Sequence, residues 1–196
     1  MTAAPRLWPG STIVCIGTGP SLTLADVEAC RDRARVIAVN NAYTMAPWAD
    51  VLYAADNKFW GWKKGAPEFA GLKYTIDSPA YHYPVVMLEN TGDYGLEQQP
   101  TGLRTGYNSG YQAINLAVHF GAARILLLGY DMHGTHYFGD HPDRTVPPFA
   151  ACLAAFPTLV DPLKAAGVEI LNCTPGSAIP CFPTVPLAEA LAEVAA

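Results

Sequence analysis

The feature that most constrains this chain is a recurring change of period, in which a short apolar run rich in β-branched residues gives way to a turn and then a helical stretch. Thr12-Ile13-Val14-Cys15-Ile16 reads as a buried strand, Leu22 to Arg33 as a helix, and Val36-Ile37-Ala38-Val39 as a second strand. Strands separated by helices must be joined by crossovers, so parallel pairing follows. Val51-Leu52-Tyr53-Ala54-Ala55 predicts a third strand, followed by a short aromatic helix or turn holding Phe59, Trp60 and Trp62. Between Gly71 and Thr105, strand-like pieces at Leu72 to Ile76 and Val85 to Leu88 stand among Pro and Gly. Asn108 to Phe120 predicts a helix apolar nearly all round, ended by Gly121, and Arg124 to Leu128 a strand buried on both faces. That pair is expected at the centre of the sheet. A helix from about Pro148 to Ala166, a strand from Val168 to Leu171 and a terminal helix from Pro186 complete the pattern.

The expected fold class is therefore α/β: a single Rossmann-like domain over 1–196, with a mostly parallel sheet flanked by helices and a lid-like loop at about 130–148. The loop is inferred from its His, Gly, Asp and Pro content, a composition typical of long functional loops. With 196 residues, 51% of them hydrophobic, the chain suffices for one sizeable core.

Charge narrows the partners. Only 15% of residues are charged and the formal net charge is −5, so no extended nucleic-acid surface is expected, although Lys58, Lys63 and Lys64 form a local basic patch. Met1 to Gly10 lacks the apolar stretch of a signal peptide, and no segment approaches the roughly 20 apolar residues of a membrane span. Five cysteines, Cys15, Cys30, Cys152, Cys173 and Cys181, are an odd number without a CxxC pair, which argues against a disulfide framework or a structural zinc site. A cytoplasmic protein with no membrane partner is the expectation. Trp48, Trp60, Trp62 and Tyr81 stand at loop positions suited to stacking on an acceptor or to a homo-oligomer contact.

Five places along the chain are candidates for chemistry. Gly17-Thr18-Gly19-Pro20-Ser21-Leu22 joins the first strand to the first helix, where glycines let the backbone approach a ligand and a helix N-terminus favours a phosphate. Ser21 is suited either to capping that helix or to bonding the ligand. The third glycine of the dinucleotide fingerprint and the Gly-Lys-Ser/Thr of a phosphate-binding loop are both missing, which disfavours a classical dehydrogenase or ATPase. Asn40-Asn41 and Asp56-Asn57 end the second and third strands, and in an open parallel sheet ligands bind beyond such ends. Amides there suit the edge of a base or the hydroxyls of a sugar, though the same residues also cap helices and turns. Gly106-Tyr107-Asn108-Ser109-Gly110 opens the apolar helix and offers backbone N–H groups and a hydroxyl, or an N-cap.

The fifth place is Gly129 to Asp143, with three histidines and three aspartates. Its spacing matches neither a helical HExxH pair nor a Cys-bearing zinc site. A loop bearing His136 is better suited to bring a neutral imidazole over a bound donor, with Asp131 orienting a substrate or a histidine. A solvated polar loop remains the plain alternative for each histidine.

Gly17-Thr18-Gly19-Pro20-Ser21-Leu22, Val39-Asn40-Asn41-Ala42-Tyr43, Asn108-Ser109-Gly110, Leu128-Gly129-Tyr130-Asp131-Met132, Thr135-His136-Tyr137-Phe138-Gly139 and Cys173-Thr174-Pro175-Gly176-Ser177 occur in the same order as similar motifs in the bacterial sialyltransferases that use CMP-sialic acid. The chain also resembles the related archaeal 6-hydroxymethyl-dihydropterin diphosphokinases and phage-encoded proteins of the same superfamily. The resemblance implies a glycosyltransferase-like enzyme, inverting and metal-independent, with a nucleotide-sugar donor of the CMP type as substrate and no required cofactor. It implies that Gly17, Gly19 and Ser21 face the donor phosphate and ribose, that Asn40, Asp56 or Asn57, Asn108, Ser109 and Gly110 surround the nucleotide, that Ser177 belongs to a further nucleotide-binding loop, and that His136 is the general base. The acceptor is then a saccharide or other small molecule. Asp56 stands where the sialyltransferases have Asn, which keeps open an ATP-dependent diphosphokinase using Mg²⁺ held by Asp56 and Asp131, or a non-catalytic nucleotide-binding protein.

Overall fold

In the computed structural model, described for residues 2–76, 82–140 and 148–194, seven strands form one parallel sheet. In chain order its strands are β1 (Thr12–Ile16), β2 (Arg35–Val39), β3 (Val51–Tyr53), β4 (Leu72–Thr75), β5 (Val86–Met87), β8 (Arg124–Leu128) and β9 (Glu169–Asn172). A separate parallel pair, β6 (Glu89–Asn90) and β7 (Gly102–Leu103), lies between β5 and β8 in sequence. Across the large sheet the order is β5-β4-β3-β2-β1-β8-β9. The helices are α1 (Leu24–Ala29), α2 (Asn57–Trp62), α3 (Ser109–Phe120), α4 (Phe149–Ala155), α5 (Val160–Ala165) and α6 (Leu187–Ala192).

The two-residue alternation of side chains along each strand builds two cores on opposite faces of the sheet. Ile13, Cys15, Ile37, Val39, Ile125 and Leu127 pack on one side with Tyr111, Ile114, Ala117 and Phe120 of α3 and with Phe156 and Leu159. Val14, Ile16, Val36, Ala38, Leu126 and Leu128 pack on the other with Val27, Trp60, Phe69 and Leu191. The result is the single Rossmann-like α/β domain that the periodicity predicts. Burial pushes the thiols of Cys15 and Cys30 up to about 12 and those of Cys173 and Cys181 up to about 11, so these cysteines are packing residues, and all five are free.

Three expectations change. The first helix is a short Leu24–Ala29, because Thr23 rather than Ser21 caps it by accepting from the N–H of Asp26. The stretch 148–166 is not one helix: a 3₁₀ turn at Phe156–Leu159, opened by Pro157, separates α4 from α5. The pair α3 and β8 is not central. β2 is the middle strand, and β8 lies one strand in from the β9 edge, where packing on both faces still buries Ile125 to Leu128. α3 ends as predicted at Gly121, whose φ of 97° gives the left-handed cap that a side chain would strain.

No described helix is long and apolar enough to cross a membrane. Tyr81 and the part of the expected lid at 141–147 lie outside the described residues.

Candidate functional site

From β1 the chain winds outward through β2, β3, β4 and β5, whereas β8 and β9 are added on β1's other side. The connections leaving the carboxyl ends of β1 and β8 therefore diverge, and a crevice opens at this switch point. The two loops continue the ladder for a further step: the N–H of Gly17 donates to Leu128 O at 2.7 Å and that of Gly19 to Gly129 O at 2.8 Å. A Cβ on Gly17 would lie 2.6 Å from the Gly129 carbonyl oxygen, and one on Gly19 would overlap the Asp131 carboxylate. These glycines permit loop-to-loop contact, and their amides are engaged by protein carbonyls. The turn also fails to run straight into a helix N-terminus, since α1 opens only at Leu24.

Asp131, 2% exposed, stands in the loop just beyond β8, its carboxylate accepting from the N–H of Ser21 at 3.1 Å and from its hydroxyl at 3.0 Å. Ser21 is thus turned toward Asp131. A cleft of about 520 Å³ lies in front of this knot, lined by Gly17, Thr18, Gly19, Val39, Asn40, Asn108, Ser109, Gly110, the β8 loop from Gly129 to His133, Thr135, His136 and Phe149. Of the residues singled out from sequence, it gathers Gly17, Gly19, Asn40, Asn108, Ser109, Gly110, Asp131 and His136. Ser21 and Ser177 are not on its walls. Ser177 supports it from behind, donating to the Tyr130 carbonyl at 2.6 Å.

Each wall has a local cause. Asn40 closes β2 with φ of 50°, a left-handed conformation that Asn tolerates better than most side chains, and its Oδ1 is buried without a hydrogen-bond partner. Asn108 caps α3, accepting from the N–H groups of Gly110 at 2.7 Å and Tyr111 at 3.2 Å, so two of that helix's terminal donors are satisfied internally. Tyr130, fully buried, donates its phenol to Gly110 O at 3.1 Å and locks β8 to the start of α3. His136 places Nδ1 at 2.9 Å from the Thr18 hydroxyl, and its ring stacks on Phe138 with centroids 4.9 Å apart.

Asp56 lines a neighbouring hollow of about 1040 Å³, with Asn90, Asp93, Thr105, Tyr107 and Gln112, that shares Asn108 and Ser109 with the cleft. Asn57 opens α2 and lines neither space. Asp56 and Asp131 thus face different hollows, and among the described residues no three His, Cys, Asp or Glu side chains come together as metal ligands would. Sequence reasoning passed over Thr18, the partner of His136, and Tyr137. Thr18 stands inside the glycine motif, but nothing local shows that it meets a residue 118 positions away.

No protein-family model matches the chain, and no curated protein matches it. Among solved structures, the fold is similar to that of the sialyltransferase CstII from Campylobacter jejuni in complex with a substrate analogue, cytidine-5'-monophosphate. The match has a TM-score of 0.58 and covers 92% of this chain and 87% of that one at 13% identity, which is a likeness of fold.

Proposed function

We propose that this chain is a glycosyltransferase-like enzyme that takes a nucleotide-sugar donor of the CMP type in the cleft between β1 and β8. The observation that carries the reading is the convergence of four separate chain segments, at Gly17 to Gly19, Asn40, Asn108 to Gly110 and Gly129 to His136, on one crevice at the switch point. The likeness of fold to a sialyltransferase in complex with a cytidine monophosphate supports the nucleotide class. The buried, unpartnered oxygen of Asn40 accepts a hydrogen bond from the ligand, from an exocyclic amine or a sugar hydroxyl. Asp131 is the one carboxylate on the described walls, and it is held by Ser21, which favours a metal-independent reaction.

His136 is the general base. With the Thr18 hydroxyl accepting from Nδ1–H, the neutral ring carries its basic lone pair on Nε2. The acceptor hydroxyl gives its proton to Nε2 as its oxygen bonds to the anomeric carbon. The bond from that carbon to the phosphate oxygen breaks on the opposite face, the nucleotide leaves with the electron pair, and configuration inverts. The described part of this loop, Tyr130 to Asp140, acts as a lid that keeps water from the donor. The adjoining hollow beyond Asn108 and Ser109 receives a saccharide or other small-molecule acceptor. The five free thiols suit work in a reducing cytoplasm.

Thermal shift against a panel of CMP, CMP-sugars, UDP-sugars and ATP with Mg²⁺ tests the reading. A true ligand at a hundred times its dissociation constant adds about 2.7 kcal/mol of stability. Stabilisation by CMP species supports the proposal, and stabilisation by ATP with Mg²⁺ alone refutes it.

A further inference from the structure

His136 is held at the cleft by its neighbour in sequence as well as by its own contacts to Thr18 and Phe138. It is the first residue of a tight turn, His136 to Gly139, closed by the N–H of Gly139 donating to His136 O at 2.9 Å, and Tyr137 sits at the turn's tip. Tyr137 is tied in two directions. Its N–H donates to Thr18 O at 3.0 Å on the β1 loop, and its phenol donates to Asn41 O at 2.7 Å beyond β2. The same phenol lies 2.8 Å from the Thr44 hydroxyl, which itself reaches Asn41 O at 2.9 Å. Three oxygens thus form a triangle with two hydrogens to share, a small network at the cleft rim that bridges the ends of adjacent strands. Desolvation raises the Tyr137 phenol above its usual range, so the group remains a proton donor.

We infer that Tyr137 is a positioning residue: its phenol hooks the loop to the Asn41–Thr44 turn and thereby holds the His136 imidazole over the cleft. The consequence for turnover rests on reading His136 as the base. The hook itself does not. The turn transmits the constraint, because His136 and Tyr137 are adjacent and the His136 ring is stacked on Phe138 at an interplanar angle of 2°. One uncharged hydrogen bond at a solvated rim shifts an equilibrium by about three- to tenfold, strong enough to bias the loop and weak enough to release.

The test is Tyr137→Phe, which keeps the half-buried ring and removes the hydroxyl, with Thr44→Val as a milder second variant. The first measurement is carbethoxylation by diethylpyrocarbonate, read residue by residue by mass spectrometry, with exposed His133 as the internal standard. Tyr137→Phe is expected to raise the reactivity of His136 relative to His133 by about three- to tenfold, and Thr44→Val by less. Unchanged relative reactivity in both variants overturns the hook. The second measurement is CMP-sugar turnover at saturating donor. Tyr137→Phe is expected to lower kcat by a similar factor while the Kd for CMP stays within about twofold, and to add no loss in a His136→Ala background. An additive loss in that background overturns the positioning role. Raised His136 reactivity in a protein whose wild type turns over no CMP-sugar leaves the hook standing and removes the functional reading alone.

Discussion

The carboxylate of Asp131 accepts two hydrogen bonds from Ser21, from the backbone N–H at 3.1 Å and from the hydroxyl at 3.0 Å, across 110 positions of sequence. This knot sets the spacing of the two loops that bound the cleft. Asp131→Ala strands both Ser21 donors and is expected to cost about 2–3 kcal/mol in urea unfolding, whereas Ser21→Ala, which keeps the backbone bond, costs about 1 kcal/mol. Equal losses for the two variants would count against the knot.

Gly19 makes room for that carboxylate. Gly19→Ala forces the β1 loop away from Asp131 and is expected to destabilise by about 1–3 kcal/mol, as other overpacked sites do. In an Asp131→Ala background the obstructing atoms are gone. The penalty for Gly19→Ala is then expected to shrink by at least about 0.5 kcal/mol, a coupling that a double-mutant cycle measures.

Thr18 meets His136 through Nδ1 at 2.9 Å. If the imidazole is the base, His136→Ala lowers kcat for CMP-sugar turnover by about 10²–10⁴-fold with nucleotide affinity retained. Thr18→Val, which removes the hydroxyl that Nδ1 meets, lowers kcat by about tenfold at unchanged Kd for CMP. Steady-state rates combined with calorimetric titration separate the two parameters. An unaltered kcat in Thr18→Val refutes the assigned tautomer.

His119, on α3, has Nε2 at 2.9 Å from Gly102 O, and burial holds its imidazole below the ordinary 6.5. The unfolded chain therefore takes up the proton first as pH falls. The neutral ring's contribution to stability is complete above pH 6.5 and declines from there toward the lower folded value. His119→Gln abolishes this titration. The fall in unfolding midpoint on acidification from about pH 7 to about pH 5 is expected to be shallower in the variant than in the wild type.

The sheet was legible in the sequence because strands covered on both faces have little choice of composition, as in Arg124 to Leu128. Likewise α3 carries its own boundaries, with Asn108 as cap and Gly121 as stop. Strand order was less accessible: nothing within β8 marks it as the neighbour of the edge rather than the middle strand. The cleft was legible as a set of polar strand ends, since Gly19, Asn40 and Ser109 share its walls. Individual duties were not. Ser21 and Ser177 look like ligand hydroxyls locally, but each finds a partner in the β8 connection, Asp131 for one and the Tyr130 carbonyl for the other. Such pairings depend on backbone paths that only the assembled fold defines.

The pairing of β1 with β8 also sets when the cleft can exist. Thr12 lies beside Arg124 in the ladder, so this pairing has a high contact order, and its closure must wait until the whole intervening chain has been synthesised. The first strand leaves the ribosome long before its partner, and the crevice is among the last parts to form.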